Sequence, residues 1–256
     1  MFPLLAASFF LLGAIVASFI GVVSARLHTG ESIARGRSRC DACGDPLSAL
    51  ALVPILAYAA TRGRALCCGA RISLAAPLTE LLLGGLFALS YLRIGLQPVL
   101  LPSLVALSAL LALVLYDFAH QILPPSILGV FGVASIAAAY AFAPSLEDFL
   151  DIAIVACCIG GSLLLVHYAS RGRAMGFSDA PLAFALALLV GPAAFTGFVF
   201  SFWIGSVVGI VLLLRRPRGS RMNVEVPFAP FLAAGFLLAY FTQWNLFALV
   251  TAVSLW

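Results

Sequence analysis

Two aspartates, Asp117 in LYDFAHQILPP and Asp179 in AMGFSDAPL, stand at the edges of long apolar runs. A carboxylate at or within a membrane span is costly and usually marks function or a pair. Two such groups can share one proton in acid–base chemistry or pass a proton along a relay. A second set consists of thiols: Cys40 and Cys43 form a C-x2-C, and Cys67 and Cys68 follow in GRALCCGARIS. This spacing suits a metal ion, and reduced thiols with no metal are an equally open reading. Cys157 and Cys158 lie inside an apolar run and read as packing residues. His120 is one turn from Asp117 and could tune its acidity or simply satisfy a loop backbone group. His28 and His167 read as boundary residues.

Other chemistries are excluded by composition. All 14 basic residues are arginine, so the chain has no Ser-Lys dyad, no Schiff-base lysine and no P-loop lysine. It also lacks H-E-x-x-H and G-x-S-x-G motifs.

The elements that must position these groups are membrane helices. Of 256 residues, 63% are hydrophobic and 9% charged, and the mean hydropathy is +1.14. A soluble domain carries roughly 25% charged residues, so a chain this poor in charge is solvated by lipid. The apolar runs are continuous, whereas barrel strands alternate apolar and polar positions. They fall at 2–25, 74–92, 98–116, 126–144, 152–169, 180–195, 197–214 and 228–250. The expected fold is an all-α polytopic membrane protein of about eight transmembrane helices, each needing about 20 apolar residues. The first run lacks a basic start and exceeds a signal-peptide core, so it is expected to remain as a helix.

The sizeable non-membrane segment, 26–73, contains Arg26, Arg35, Arg37, Arg39, Arg62, Arg64 and Arg71. Its apolar middle is broken by Pro54 and is expected to lie against the membrane. The positive-inside rule puts this long loop in the cytoplasm. Alternating sides then brings Arg171, Arg173, Arg215, Arg216, Arg218 and Arg221 inside, with Arg93 and the acidic Glu147, Asp148 and Asp151 outside. Asp117 ends the third span and Asp179 opens the sixth, so both reach the cytoplasmic boundary at similar depth. The chain divides into the first transmembrane helix (1–25), a cytoplasmic Cys/Arg-rich loop (26–73) and a transmembrane core (74–256).

The two aspartate motifs resemble the signatures of the type IV prepilin (leader) peptidases, GxGD-type aspartyl proteases. D-x5-L-P-D is matched by Asp117, Leu123 and Pro124, and G-M-G-x-G-D-x-K-L by Met175, Gly176, Asp179 and Leu182. ASFIGVVSARL, APLTELLLGGLFAL and VPFAPFLAAG are similar to the family's GSFLNVVIYRL, YPLVELLTGLLFAL and IPFGPFLALG, with Glu80 on the shared glutamate. Five motifs therefore match in order across nearly the whole chain. Ser178 replaces the second glycine of GxGD, Pro181 the lysine and Pro125 the aspartate after Leu-Pro. In GRCxxCGxxIS the third family cysteine is Ala65 here, Cys68 matches the fourth, and Cys67 is an extra neighbour.

The resemblance implies an aspartic endopeptidase in the bacterial inner membrane, with Asp117 and Asp179 as the catalytic pair facing the cytoplasm. It would cleave prepilin or pseudopilin precursors after a leader glycine, with no cofactor required for proteolysis. Its partners would be those precursors and membrane lipid, and no nucleic acid. The resemblance also implies N-methylation of the new N-terminus with S-adenosylmethionine. Glu80 and Gly176 are then candidates for substrate or cofactor binding, and Cys40, Cys43, Cys67 and Cys68 for zinc. Two other readings stay open: a degenerate peptidase homologue that acts as an assembly partner, and a transporter or proton relay. Against the relay, neither Asp lies at a span midpoint and no repeat pair is visible.

Overall fold

The structure is a computed structural model and describes residues 2–27, 39–40, 42–46, 48, 53–215 and 227–244. His28, Arg35, Arg37, Arg216, Arg218, Arg221 and positions 245–250 of the last expected span lie outside the described residues.

In lipid every backbone N–H and C=O must be bonded within its own segment, so a continuous apolar run takes the helical form. The helices are α1 (Phe2–Arg26), α2 (Leu56–Thr61), α3 (Ala75–Ile94), α4 (Leu100–His120), α5 (Pro125–Phe142), α6 (Leu146–Ala169), α7 (Asp179–Val190), α8 (Ala194–Arg215) and α9 (Ala229–Thr242). Among the described residues, six helical stretches are long and apolar enough to cross a membrane. The chain is an all-α, multi-pass membrane protein, as composition implied. The last of the six stretches, Asp179–Arg215, has 37 residues, about twice what a bilayer needs. A 3-10 turn at Gly191–Ala193 divides it into α7 and α8. Gly191 has φ 71°, where a side chain would be strained, and Pro192 follows it without an N–H to continue the helix.

The chain forms two compact units, Met1–Leu100 and Leu101–Trp256. In the first, α1 packs on α3 through glycines. A Cβ on Gly13 would lie 2.7 Å from the Leu83 carbonyl, and one on Gly84 would lie 2.8 Å from that of Phe10. Hydrophobic forces between helices vanish in lipid, so close backbone approach of this kind is what associates them.

In the second unit α7 is central, packing on α5, α6, α8 and α9. Its sequence DAPLAFALALLV is apolar on every face, and nine of its 12 residues are buried. Gly160 of α6 admits Phe184 of α7. On α8, Gly197 and Ser201 meet α9, where a Cβ on Gly235 would run into the Ser201 backbone. Ser201 Oγ donates to Gly197 O at 2.8 Å and across the crossing to Leu232 O at 3.2 Å.

Candidate functional site

Asp117 lies in the last turn of α4 and is buried, at 6% exposure. The helix stops three residues later. Gln121 turns into the left-handed region (φ 56°), and its N–H caps the Asp117 carbonyl at 2.8 Å. Leu123 and Pro124 of the same motif are buried, and Pro125 opens α5, where a missing N–H has no cost. A carboxylate near a helix C-terminus faces the negative end of the helix dipole. At the start of α9, the backbone N–H of Ala229 lies within electrostatic reach of the Asp117 carboxylate. This N–H is an orphan donor of a helix start and is well matched to an anion. Asp117 Oδ2 is buried with no hydrogen-bond partner among the described residues.

Asp179 is the first residue of α7 and is half-buried. Its Oδ2 accepts the Gly176 N–H at 3.1 Å. A Cβ on Gly176 would lie 3.3 Å from the same oxygen, so glycine lets the backbone come this close. Asp117 and His167 are both within electrostatic reach of Asp179. The fold thus brings together two acids from distant parts of the sequence. Ser178 adopts ordinary right-handed helical geometry (φ −68°), so its backbone does not demand the family's glycine. Pro181 sits in the first turn of α7, where proline is tolerated.

Two contributors escaped the sequence reading. His167, read as a boundary residue, bonds through Nδ1 to the carbonyl of Met175, the residue just before the GFSD turn, at 2.9 Å. A lone histidine at the end of an apolar run gives no signal of that contact. The Ala229 N–H was missed because it belongs to the backbone, and the VPFAP motif was its only trace. His120 instead lies with its ring centroid 4.4 Å from that of Tyr116.

In the Met1–Leu100 unit, Cys40, Cys43, Cys67 and Cys68 converge, with their sulfurs all within 4.8 Å of one another. Two matching turns build the cluster. Cys40 N bonds to Asp45 O and Gly44 N to Cys40 O, and Ala65 N bonds to Ala70 O and Gly69 N to Ala65 O, in the same pattern. Gly44 (φ 77°) and Gly69 (φ 72°) make the left-handed step in each turn. Ala65 therefore stands where Cys40 stands in the other turn. Cys67 completes the set from one position before Cys68, lying 3.3 Å from Cys43, while Cys68 lies 3.8 Å from Cys40. Tetrahedral zinc at about 2.3 Å from each sulfur spaces thiolates about 3.8 Å apart. The four residues fit a metal ion of this type.

Backbone N–H groups of Cys43 and Ala42 aimed at its sulfur bring the Cys40 thiol down to about 7. The nearby Asp45 N–H pulls the Cys43 thiol the same way, but its thiol neighbours and lost solvation push it up to about 12. Glu80, buried on α3, accepts the Ile55 N–H at 2.8 Å. Ile55 holds φ 62°, a costly conformation for a β-branched residue, so Glu80 anchors a strained turn before α2.

The fold and site define a multi-pass helical membrane protein with an acid pair at helix ends and a thiol cluster that could hold a metal. Residues 11–94 match the Bacterial Peptidase A24 N-terminal domain. Three curated proteins, each named Prepilin leader peptidase/N-methyltransferase, are similar over most of the chain. The one from Myxococcus xanthus (strain DK1622) is 37% identical, over 84% of this chain and 65% of its own length. Those from Bacillus subtilis (strain 168) and Dickeya chrysanthemi are 31% and 33% identical, over 90% and 87% of this chain and 92% and 87% of theirs. The chain thus spans just under two thirds of the Myxococcus protein. No solved structure matches it. The chain belongs to the prepilin leader peptidase/N-methyltransferase family.

Proposed function

We propose that this chain is an aspartic endopeptidase that cleaves prepilin or pseudopilin precursors after the leader glycine and N-methylates the new N-terminus. The observation that carries this reading is the convergence of Asp117 and Asp179 in one compact unit, within electrostatic reach. The relatives' shared name supports the substrate class and both activities. It also weighs against the assembly-partner and relay readings.

Two neighbouring carboxylates cannot both ionise easily, so they share a proton, and their titration belongs to the pair. The ionised group takes a proton from water as its oxygen attacks the scissile carbonyl carbon, while the protonated group hydrogen-bonds the carbonyl oxygen. The tetrahedral intermediate then collapses, the C–N bond breaks, and a carboxyl proton passes to the leaving amine. The Gly176 N–H holds the Asp179 carboxylate in place for this exchange, and the Ala229 N–H lies within electrostatic reach of Asp117. The protein resides in the bacterial inner membrane with the pair facing the cytoplasm.

Cys40, Cys43, Cys67 and Cys68 hold zinc as a structural ion, apart from proteolysis. S-adenosylmethionine supplies the methyl group when bound. Glu80, through the Ile55 turn, supports the part of the chain that methylates. The test is to incubate the purified protein in lipid with a prepilin-like precursor and read the products by mass spectrometry. Cleavage after the leader glycine is expected, with a methyl group added when S-adenosylmethionine is present. An intact precursor would refute the reading.

A further inference from the structure

We propose that His167 is a positioning residue for Asp179: it ties the 170–178 connection to the end of α6, so that the Gly176 N–H stays aimed at the Asp179 carboxylate. The inference rests on the reading of Asp179 given above.

A carbonyl oxygen only accepts, so the 2.9 Å contact with Met175 O requires a proton on His167 Nδ1. The imidazole is also packed in place. The rings of Tyr168 and Phe177 meet it edge-on, with centroids 5.4 and 5.7 Å away. Gly172, at φ 74°, passes so close that a Cβ there would lie 3.4 Å from the ring's Cε1. The backbone of the same residue holds the start of the connection. His167 O accepts the Gly172 N–H at 2.8 Å and the Ser170 hydroxyl at 3.1 Å, and Ser170 Oγ in turn accepts the Ala174 N–H at 3.2 Å.

The Met175 carbonyl belongs to the peptide unit whose nitrogen is that of Gly176. Fixing this carbonyl therefore fixes the direction of the N–H on the opposite side of the same rigid plane. That N–H is the one 3.1 Å from Asp179 Oδ2. One ring thus sets a peptide plane, and the plane sets a carboxylate. A positioning role predicts a loss in the chemical step with substrate binding nearly intact, since a displacement of about 1 Å costs about 100-fold in rate.

Three variants of the full chain in lipid separate this role from packing. Asparagine puts a donor nitrogen where Nδ1 is and carries no charge, glutamine puts its donor one bond further out, and phenylalanine keeps the ring and loses the donor. H167F and H167Q are expected to lose at least about 10-fold in kcat, with KM changed less than about 3-fold. H167N should recover most of that loss. A second readout does not depend on activity: limited trypsin cleavage at the exposed Arg171 and Arg173. It should accelerate at least about 10-fold in H167F and stay slow in H167N, with thermal unfolding unchanged. The proposal is overturned if H167F keeps wild-type kcat and protection, or if H167N is as impaired as H167F. Wild-type protein that cleaves no precursor would sink the functional reading, and the trypsin comparison would still decide the tether.

Discussion

A carboxylate in the last turn of a helix, buried and facing that helix's own carbonyls, would normally be selected against or neutralised. The backbone N–H at the start of α9 lies within electrostatic reach of Asp117, and Asp179 accepts the Gly176 N–H. Both N–H groups belong to the backbone, which is why the sequence reveals the acids and conceals these neighbours. Ser178, Pro181 and Pro125 depart from the family's motifs, and each is locally accommodated. Ser178 has ordinary φ, Pro181 lies in a first turn, and Pro125 opens a helix. Gly176 has no such latitude, with 3.3 Å between a prospective Cβ and Asp179 Oδ2. G176A should therefore push the carboxylate off its donor and lower kcat by about 10-fold or more, with KM little changed. Steady-state cleavage kinetics check this, and an unchanged kcat would mean that this amide does not orient Asp179.

At the scale of elements, α9 delivers the Ala229 N–H only if its crossing with α8 holds. That crossing depends on Gly235 sitting against Ser201. Leucine at Gly235 should destabilise the second unit by roughly 1–3 kcal/mol, measured by unfolding in mixed micelles, and cleavage should fall in parallel. Loss of cleavage with full stability would separate the crossing from the site. The paired cysteine turns make a sharper prediction. Because Ala65 occupies the place equivalent to Cys40, C67S should drop bound zinc from about one per chain, and adding A65C to C67S should restore it. Cleavage should persist in both, since the acids need no metal, and metal analysis beside the cleavage assay tests both halves. The helices themselves were legible because lipid permits little else to a continuous apolar run. The fourth thiol was less so, because adjacency to Cys68 argues against Cys67 until the turn geometry is seen.

For the molecule as a whole, composition and the order of motifs carried the family assignment, and the comparisons agree with it over most of the chain. The division into units at Leu100 was not legible, since nothing in an apolar sequence marks where one packed group of helices ends and the next begins. Sidedness rests on the arginine asymmetry alone. A membrane-impermeant maleimide should label Cys40, Cys43, Cys67 and Cys68 in inverted vesicles and not in right-side-out ones, after metal is removed. Labelling from the outer face would reverse the topology and move the acids to the wrong side for a cytoplasmic leader. The central claim is that Asp117 and Asp179 act as one proteolytic unit, and isosteric removal of each carboxylate tests it most directly. D117N and D179N, reconstituted in lipid with a prepilin-like precursor, should each lose at least about 1,000-fold in cleavage while inserting and unfolding like the wild type. The double variant should be no worse than either single one. Near wild-type cleavage by either single variant would contradict the account.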